Sequence, residues 1–492
     1  MDARVIVVGG GPSGLVLAAE LRLGGVDVLV LEKLAVPSGE SRGLGFTART
    51  LEMFDQRGLV PRFGNVEISR MGHFGGIPLD YSILEGAHFG ARGIPQSQTE
   101  LVLNDWAVGL GADVRRGREV VGFVDHGDRV VLDVIGPAGP ESYTAQYVVA
   151  CDGGRSTVRR LAGFDFPGTD ATMEMFLADV EGCHLRARQI GEKKPGGMVM
   201  SAPLREGVDR IIVCERGTPP QRREAAPEWT EVAAAWQRLT GEDISGGTPH
   251  WISSFGDATR LVTEYRRGPV LIAGDAAHVH LPAGGQGLSV SVQDAMNLGW
   301  KLAATIRGWA PDRLLDSYHE ERHAVGARLL VNTRAQGLLY LTGAEMDPLR
   351  TVFGELMTIP AVGRHLAGTV SGLDITYDVG EGHHPLLGKR IPRQELVGEF
   401  GRTTTFELLH AARGVLLDLC DDAELRRVAS GWADRVDVVT AVPNLLADDS
   451  PLADTSAALV RPDGYVAWAS HRGDDPASAL HRWFGEPAHT SI

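Results

Sequence analysis

The sequence predicts an α/β protein: a Rossmann-type dinucleotide-binding domain interleaved with a β-sheet domain, then a separate C-terminal α/β segment. Three observations carry this expectation. An apolar run at residues 4–8 leads into Gly9-Gly10-Gly11-Pro12-Ser13-Gly14, which fits GxGxxG. Two further apolar runs end in glycine–acid turns, at Cys151-Asp152-Gly153 and Ala273-Gly274-Asp275. Between those turns lie alternating patterns such as Arg210-Ile211-Ile212-Val213-Cys214, the period-two signature of half-buried strands.

The first element is a buried strand at residues 4–8. After the glycines comes a helical stretch, Leu15-Val16-Leu17-Ala18-Ala19-Glu20-Leu21, closing at Gly24-Gly25. A second strand, Val28-Leu29-Val30-Leu31, ends in Glu32 with Lys33 beside it. This is a βαβ start. Gly9, Gly11 and Gly14, with Pro12 and Ser13, let the backbone approach a pyrophosphate whose charge meets the free N–H groups of the helix N-terminus. Glu32 is suited to accept hydrogen bonds from the adenosine ribose, and it and Lys33 are placed at the cofactor. The motif alone does not separate FAD from NAD(P).

Two later motifs bear on that choice. Cys151-Asp152-Gly153-Gly154-Arg155-Ser156-Thr157-Val158-Arg159 follows the strand-like Tyr147-Val148-Val149-Ala150. Pro269-Val270-Leu271-Ile272-Ala273-Gly274-Asp275-Ala276-Ala277-His278 puts Asp275 at the carboxyl end of a strand, where an acceptor can hold the ribityl hydroxyls of a flavin. Then Pro282-Ala283-Gly284-Gly285-Gln286-Gly287 feeds a long helix on which Leu288, Val292, Ala295, Leu302 and Ile306 recur at helical spacings. A glycine-rich loop at a helix N-terminus favours negative charge, which a reduced flavin carries at its N1–C2=O edge.

Composition bounds the function. The chain has 492 residues, and about 150 per domain gives roughly three domains. With 43% hydrophobic and 23% charged residues it can bury folded cores. The net charge of −15 has the wrong sign for nucleic acid or an anionic membrane surface. Its 62 glycines are about twice the number expected from average usage, which points to tight turns and close backbone approach to a ligand. Cys151, Cys183, Cys214 and Cys420 form no CxxC and read as small buried residues in a reducing compartment. The start, Met1-Asp2-Ala3-Arg4, has no signal-peptide pattern, and glycines interrupt residues 5–19, so no membrane span is expected and a cytoplasmic location is.

In order and spacing, the three motifs resemble those of the single-component (class A) FAD-dependent aromatic hydroxylases, which share the para-hydroxybenzoate hydroxylase fold. GxGxxG with Glu32 matches the ADP half of FAD, Asp152-Gly153 the DG motif tied to FAD and NAD(P)H, and Gly274-Asp275 the GD motif. The stretches from Glu40-Ser41-Arg42-Gly43 to Thr50, Gly72-His73-Phe74-Gly75-Gly76 and Asn297-Leu298-Gly299-Trp300-Lys301-Leu302 are similar to the hydroxylases of aromatic polyketide pathways, nearest the angucycline hydroxylases of actinomycetes. The likeness covers essentially the whole chain. It implies that Arg42 contacts the flavin or its phosphates, that Gln96 also touches FAD, and that the segment at Val120 pairs its backbone with adenine. It also places Pro282, Gly285, Gln286, Gly287 and Leu288 at the flavin. Ser289 stands where relatives usually carry Asn; serine is a competent helix cap, so the flavin-facing helix is expected to form.

The expected organisation is a discontinuous FAD domain (1–70, 95–175 and 260–350) and a sheet roofing the substrate cavity (71–95 and 176–260). Linker helices (351–384) and a C-terminal domain (385–492) follow. In the resembled family that last domain is thioredoxin-like; lacking CxxC, it reads here as structural, with dimer contacts as one role. It carries strand runs at 414–419 and 436–439 and a hairpin turning at Asp463-Gly464.

The resemblance implies a monooxygenase that takes hydride from NADPH or NADH onto the flavin. Dioxygen then adds to give a flavin C4a-hydroperoxide, which is kept from water while its terminal oxygen goes to an electron-rich phenol carbon of a polycyclic polyketide. Baeyer–Villiger oxygenation on the same scaffold, a plain NAD(P) dehydrogenase and a flavin-binding protein are the alternatives. No general base stands out: His73, Tyr265, Arg260 and His278 are candidates, each also readable as structural, with His278 bonding backbone near the GD turn. Arg266-Arg267 reads as a solvated loop pair. Met173, Met175, Met198 and Met200 can pad a flat aromatic ring or simply fill core. His278 with His280, and His383 with His384, lack a carboxylate or Cys partner in register, so no metal is expected.

Overall fold

The computed structural model describes residues 1–84, 89–221, 223, 225–444, 452–471 and 474–488. Its largest sheet has a parallel centre formed by Val270–Ile272, Gly139–Ala150, Ala3–Val8, Val28–Glu32 and Asp113–Arg116 in that spatial order. Val130–Gly136 and Glu119–Asp125 extend it as an antiparallel arm on Gly139–Ala150. Val5, Ile6 and Val7 are fully buried, as a strand covered on both faces requires. The helix Pro12–Leu23 returns the chain from the first strand to the second.

The long helix Gly287–Arg307 packs against that first helix. Every residue from 289 to 304 is buried, so the helix runs through the interior and the apolar stripe read from its spacing is only part of what it buries. Small residues set the crossing: a Cβ on Gly299 would lie 2.4 Å from that of Glu20, and one on Gly24 2.4 Å from that of Ala303. The helix Asp316–Leu341 lies alongside. Among the described residues no helix is long and apolar enough to cross a membrane.

The second sheet is antiparallel, in the order Arg188–Lys194, Gly197–Arg205, Val208–Glu215, Glu174–Glu181, Thr248–Gly256. One face packs Phe176, Ala178, Val199, Ile211 and Val213 against Trp236 of the helix Trp229–Thr240. The other turns Met175, Met198 and Cys214 toward Leu281, Ala283 and Tyr340, so the alternation expected at 210–214 is present. The described residues of 71–95 do not join this sheet; 85–88 lie outside the described residues. Met71–Phe74 and Ile77–Asp80 pair only with each other, across the Gly75-Gly76 turn, because Phe74 and Leu79 bury against Leu339, Leu366 and Val370 instead. Gly90–Arg92 pairs with Gly45–Thr47 and Glu67–Ile68.

Helices Asp347–Met357 and Pro360–Ser371 lead toward the C-terminal sheet, ordered Val436–Thr440, Gly414–Asp418, Ala457–Val460, Val466–Ser470. The last two form the expected hairpin. Cysteine burial departs from expectation: Cys214 is buried, Cys151 and Cys183 are partly so, and Cys420 is exposed, at the end of a strand where the chain turns into the short helix Ala423–Ala429.

Candidate active site: a cofactor cleft under a methionine-lined roof

The three sequence motifs leave three adjacent parallel strands at one edge. Val8 lies beside both Leu31 and Ala150, and Ala150 beside Ile272. Gly9, Asp152 and Gly274 therefore emerge together, at the carboxyl ends where open α/β sheets take ligands. The turns touch. Gly9 has φ +110°, and a Cβ on it would lie 2.3 Å from the Cys151 carbonyl oxygen. A Cβ on Gly274 would lie 2.7 Å from Ser13 Oγ. Only glycine permits this approach.

The first turn fits an anion. No side chain caps the helix Pro12–Leu23, and a Cβ on Gly11 would meet nothing within 4 Å. A helix N-terminus with uncapped N–H groups and open space in front of it matches a pyrophosphate. Glu32 closes the turn: Gly10 N–H donates to Oε2 at 2.7 Å and Leu34 N–H to Oε1 at 2.8 Å. Each oxygen keeps a lone pair for a ribose hydroxyl. Lys33 is exposed beside it. Val120 is buried on Glu119–Asp125, whose entry is tied to the end of the second strand by Arg118 N–H on the Glu32 carbonyl at 2.9 Å.

Asp152 and Asp275 differ in role. Asp152 Oδ2 accepts from Thr157 and Val158 N–H at 2.7 and 3.2 Å, while its buried Oδ1 has no partner. Asp275 is exposed, and the hydroxyl of Ser291 donates to it at 3.2 Å, so its carboxylate is available to polyol hydroxyls. Buried Arg159 ties the two turns together, donating to the carbonyls of Ala276 at 2.8 Å and Gly154 at 2.9 Å. An unpartnered acceptor, an open anion seat and a free carboxylate in one cleft fit FAD. Gly9, Asp152 and Gly274 stand together at the strand ends, Gly11 and Ser13 are half-buried at the first turn and Asp275 is exposed, while Pro12 and Gly14 are buried.

The flavin-side residues form a second group. Gly43 N–H donates to Gln96 Oε1 at 3.3 Å, and a Cβ on Gly43 would lie 3.1 Å from Leu288. Arg42 is exposed next to them. Pro282 and Gly285 are exposed on the loop, and no side chain caps the long helix that begins at Gly287. Gln286 is buried, with Nε2 donating to Ala283 O at 3.2 Å and Oε1 accepting from Asn332 at 3.1 Å, so its side chain braces the loop. Ser289 does not cap its own helix. It lies inside the first turn, and its Oγ accepts from Thr47 N–H at 2.9 Å.

The candidate bases fall apart in space. Tyr265 is fully buried with its hydroxyl unpartnered, against Tyr318; burial pushes its pKa well up, and it cannot take a proton from a ligand. His278 bonds a side chain, not backbone: Nε2 meets Asp294 Oδ2 at 2.9 Å. Asp294, fully buried, also accepts from Arg322 at 2.6 Å and Gly274 N–H at 3.1 Å. Burial would raise its pKa, but Arg322 and His278 hold it below the usual carboxylate range. Arg260 donates to Phe166 O at 2.8 Å and pairs with Asp170. Arg266 and Arg267 pair at the surface with Asp316 and Glu264. His73 alone sits by the roof, stacked 5.9 Å from Tyr340, with Nδ1 accepting from Gly76 N–H. Met173 and Met200 join Met175 and Met198 there.

Asp294 and Arg322 were missed from sequence because no motif marks them, and Arg159, which closes the DG stretch, was given no role because its partner Ala276 is distant in sequence. A separate cavity of about 610 Å³ lies between the long helix, Asp316–Leu341 and residues 369–378. Of the expected cofactor residues it holds only Gln286.

The chain matches known families and proteins along nearly its whole length. A family model described as FAD binding domain matches residues 2–333, and one described as aromatic-ring hydroxylase, C-terminal, matches residues 384–487. The chain is 43% identical over 510 residues to the 12-dehydrotetracycline 5-monooxygenase/anhydrotetracycline 6-monooxygenase of Streptomyces rimosus, covering 99% of this chain and 100% of the relative. It is similar to the crystal structure of CabE, an aromatic hydroxylase from angucycline biosynthesis, at 64% identity and TM-score 0.96, covering 99% of this chain and 100% of that one. It is also similar to BexE, studied for oxidation during BE-7585A biosynthesis, at 60% identity and TM-score 0.95 with the same coverage.

Proposed function

We propose, from the premise that this chain belongs to the family of FAD-binding aromatic-ring hydroxylases, that it is an NAD(P)H-consuming monooxygenase that hydroxylates a polycyclic aromatic polyketide of angucyclinone type. The observation that carries the reading is the meeting of the three glycine–acid turns, with an apolar sheet face packed on Leu281 and Ala283 of the loop that follows the third. FAD, when bound, supplies hydride acceptance and oxygen activation. The chain supplies placement.

In this reading Gly11 and the first turn of Pro12–Leu23 seat the pyrophosphate, Glu32 and Lys33 border the adenosine ribose, and the backbone at Val120 flanks adenine. Asp275 accepts from the ribityl hydroxyls. Arg42, Gln96 and the loop 282–288 flank the ring system, where uncapped N–H groups of the long helix favour negative charge. The half-buried Met173, Met200 and Phe255, packed on the core of Met175, Met198 and Cys214, give a flat ring an apolar bed and keep water out. His73 is the candidate base at that wall; Tyr265 is buried against Tyr318 and His278 is bonded to Asp294.

The test is to supply the FAD-loaded protein with NADPH or NADH, oxygen and an angucyclinone. Consumption of the nicotinamide should rise on adding the polyketide, and a product heavier by one oxygen should appear with the hydroxyl on an aromatic carbon. Oxygen inserted beside a ketone would overturn hydroxylation in favour of Baeyer–Villiger chemistry. A yellow protein whose nicotinamide oxidation ignores the polyketide would overturn the substrate assignment.

A further inference from the structure

Away from the cleft, a knot of fully buried charges surrounds the 461–464 turn of the C-terminal hairpin. Arg461 donates to Glu321 Oε1 and Oε2 at 2.6 and 2.8 Å and to Asp463 Oδ1 at 3.0 Å. Lys301 and Asn297 of the long helix donate to Glu321 Oε2 at 2.8 and 2.6 Å, and Asn297 reaches Asp463 Oδ2 at 3.2 Å. The turn's own carbonyls are gripped as well. Arg49 donates to Asp463 O at 2.9 Å, and Arg57 to Pro462 O at 2.8 Å while forking onto Glu20. Two cations and two anions, Arg461, Lys301, Glu321 and Asp463, balance within the knot.

These contacts reach the cleft along two routes. On the long helix, Asn297 lies less than one turn beyond Asp294, which holds Gly274 N–H and His278. On the helix Ala48–Asp55, Arg49 sits between Thr47 and Thr50, which bond the hydroxyl and the carbonyl of Ser289 at 2.9 and 3.2 Å. Ser289 opens the stretch that follows the loop 282–288. A turn more than four hundred residues from the GxGxxG motif is thus bonded to Asn297 and Arg49, each adjacent along its chain segment to a support of the flavin-facing helix end. Buried charges unpaired by a substitution force their neighbours to move, and those neighbours fix the helix.

We propose that the Arg461–Asp463 pair is a positioning device for the cofactor cleft, so that the C-terminal domain sets how tightly FAD is held. The proposal rests on FAD binding and not on the polyketide reading, so failure of turnover leaves it standing or falling separately. The full-length FAD-loaded protein is compared with Arg461→Met, Asp463→Asn and the control Leu417→Ala, which opens the core of the same domain away from the knot. FAD release on dilution is followed by flavin fluorescence, the bound flavin by visible circular dichroism, and stability by thermal melting.

Arg461→Met is expected to release FAD at least ten-fold faster and to change the visible dichroism. Asp463→Asn should give a smaller change in the same direction, at least three-fold. Leu417→Ala should melt earlier with release within two-fold of the parent. If Arg461→Met does not fold, Asp463→Asn carries the decision. Release and dichroism unchanged in the knot variants, or changed equally in Leu417→Ala, would overturn the proposal.

Discussion

Gly11→Ala separates the cofactor reading from the fold. Gly11 has φ −81° and ψ −178°, an extended conformation open to any residue, and a Cβ there meets nothing within 4 Å. Alanine therefore strains nothing, and its smaller unfolded-state entropy should raise apoprotein stability by about 0.4–1 kcal/mol. The methyl instead enters the space proposed for the pyrophosphate. Loss of one charge-assisted hydrogen bond costs about 1.5–3 kcal/mol, which weakens FAD binding about 10- to 150-fold. The contrast is Gly9→Ala, whose φ of +110° and 2.3 Å approach to the Cys151 carbonyl cannot be kept. That variant should lose about 1–3 kcal/mol through backbone strain alone, and melt early with or without cofactor. Thermal melting of the apoproteins and flavin-fluorescence titration read both quantities. Normal FAD affinity in Gly11→Ala would refute the pyrophosphate seat, and an early melt would refute the open space.

Other outcomes follow from the same contacts. Asp275→Asn should fold as the parent does, because the side chain is exposed and has Ser291 as its partner, yet bind FAD about ten-fold more weakly, read by the same titration. Ser289→Ala should leave the long helix formed, by far-ultraviolet dichroism, but cost about 1–3 kcal/mol by orphaning Thr47 N–H. His280 donates Nδ1–H to Leu281 O when neutral; burial and then His278 push its pKa down to about 4 from 6.5. The unfolded chain then binds more protons between those values, so stability falls as pH drops from 6.5 toward 4. His280→Gln should flatten that part of a pH–stability profile, and an unchanged slope would contradict the assignment.

The cleft was legible in the sequence where chemistry is local. Gly9, Asp152 and Gly274 stand just past strand ends that hydrophobic runs mark, so the convergence of the three turns could be foreseen from local sequence. The Asp463-Gly464 hairpin was legible for the same reason, as a turn between two apolar runs. What the turn does was not. Arg461 and Glu321 are 140 residues apart, and no periodicity records that they share hydrogen bonds. His278 was expected to bond backbone because its neighbours in sequence are backbone turns; its partner Asp294 comes from a helix sixteen residues on. Tyr265 was readable as a base or as structural beside the GD strand, and the structural reading holds, because Tyr318 of Asp316–Leu341 packs against it. The hairpin at 71–80 carries strand-like alternation, yet two glycines turn it back on itself before it can reach the larger sheet.

The long reach from Arg57 to the Pro462 carbonyl has a consequence for how the chain is made. The two residues are 405 positions apart, roughly 20–80 s of translation at about 5–20 residues per second. The nucleotide-binding crease is among the first segments to leave the ribosome and among the last to be completed. Until the final hairpin emerges, Arg49 and Arg57 have Glu52 and Glu20 but not the turn carbonyls, and Glu321 has Lys301 but not the fork of Arg461, so the network around them is incomplete. Truncations that spare every cofactor contact but stop short of residue 461 should therefore behave as unfinished chains and be cleared by proteolysis.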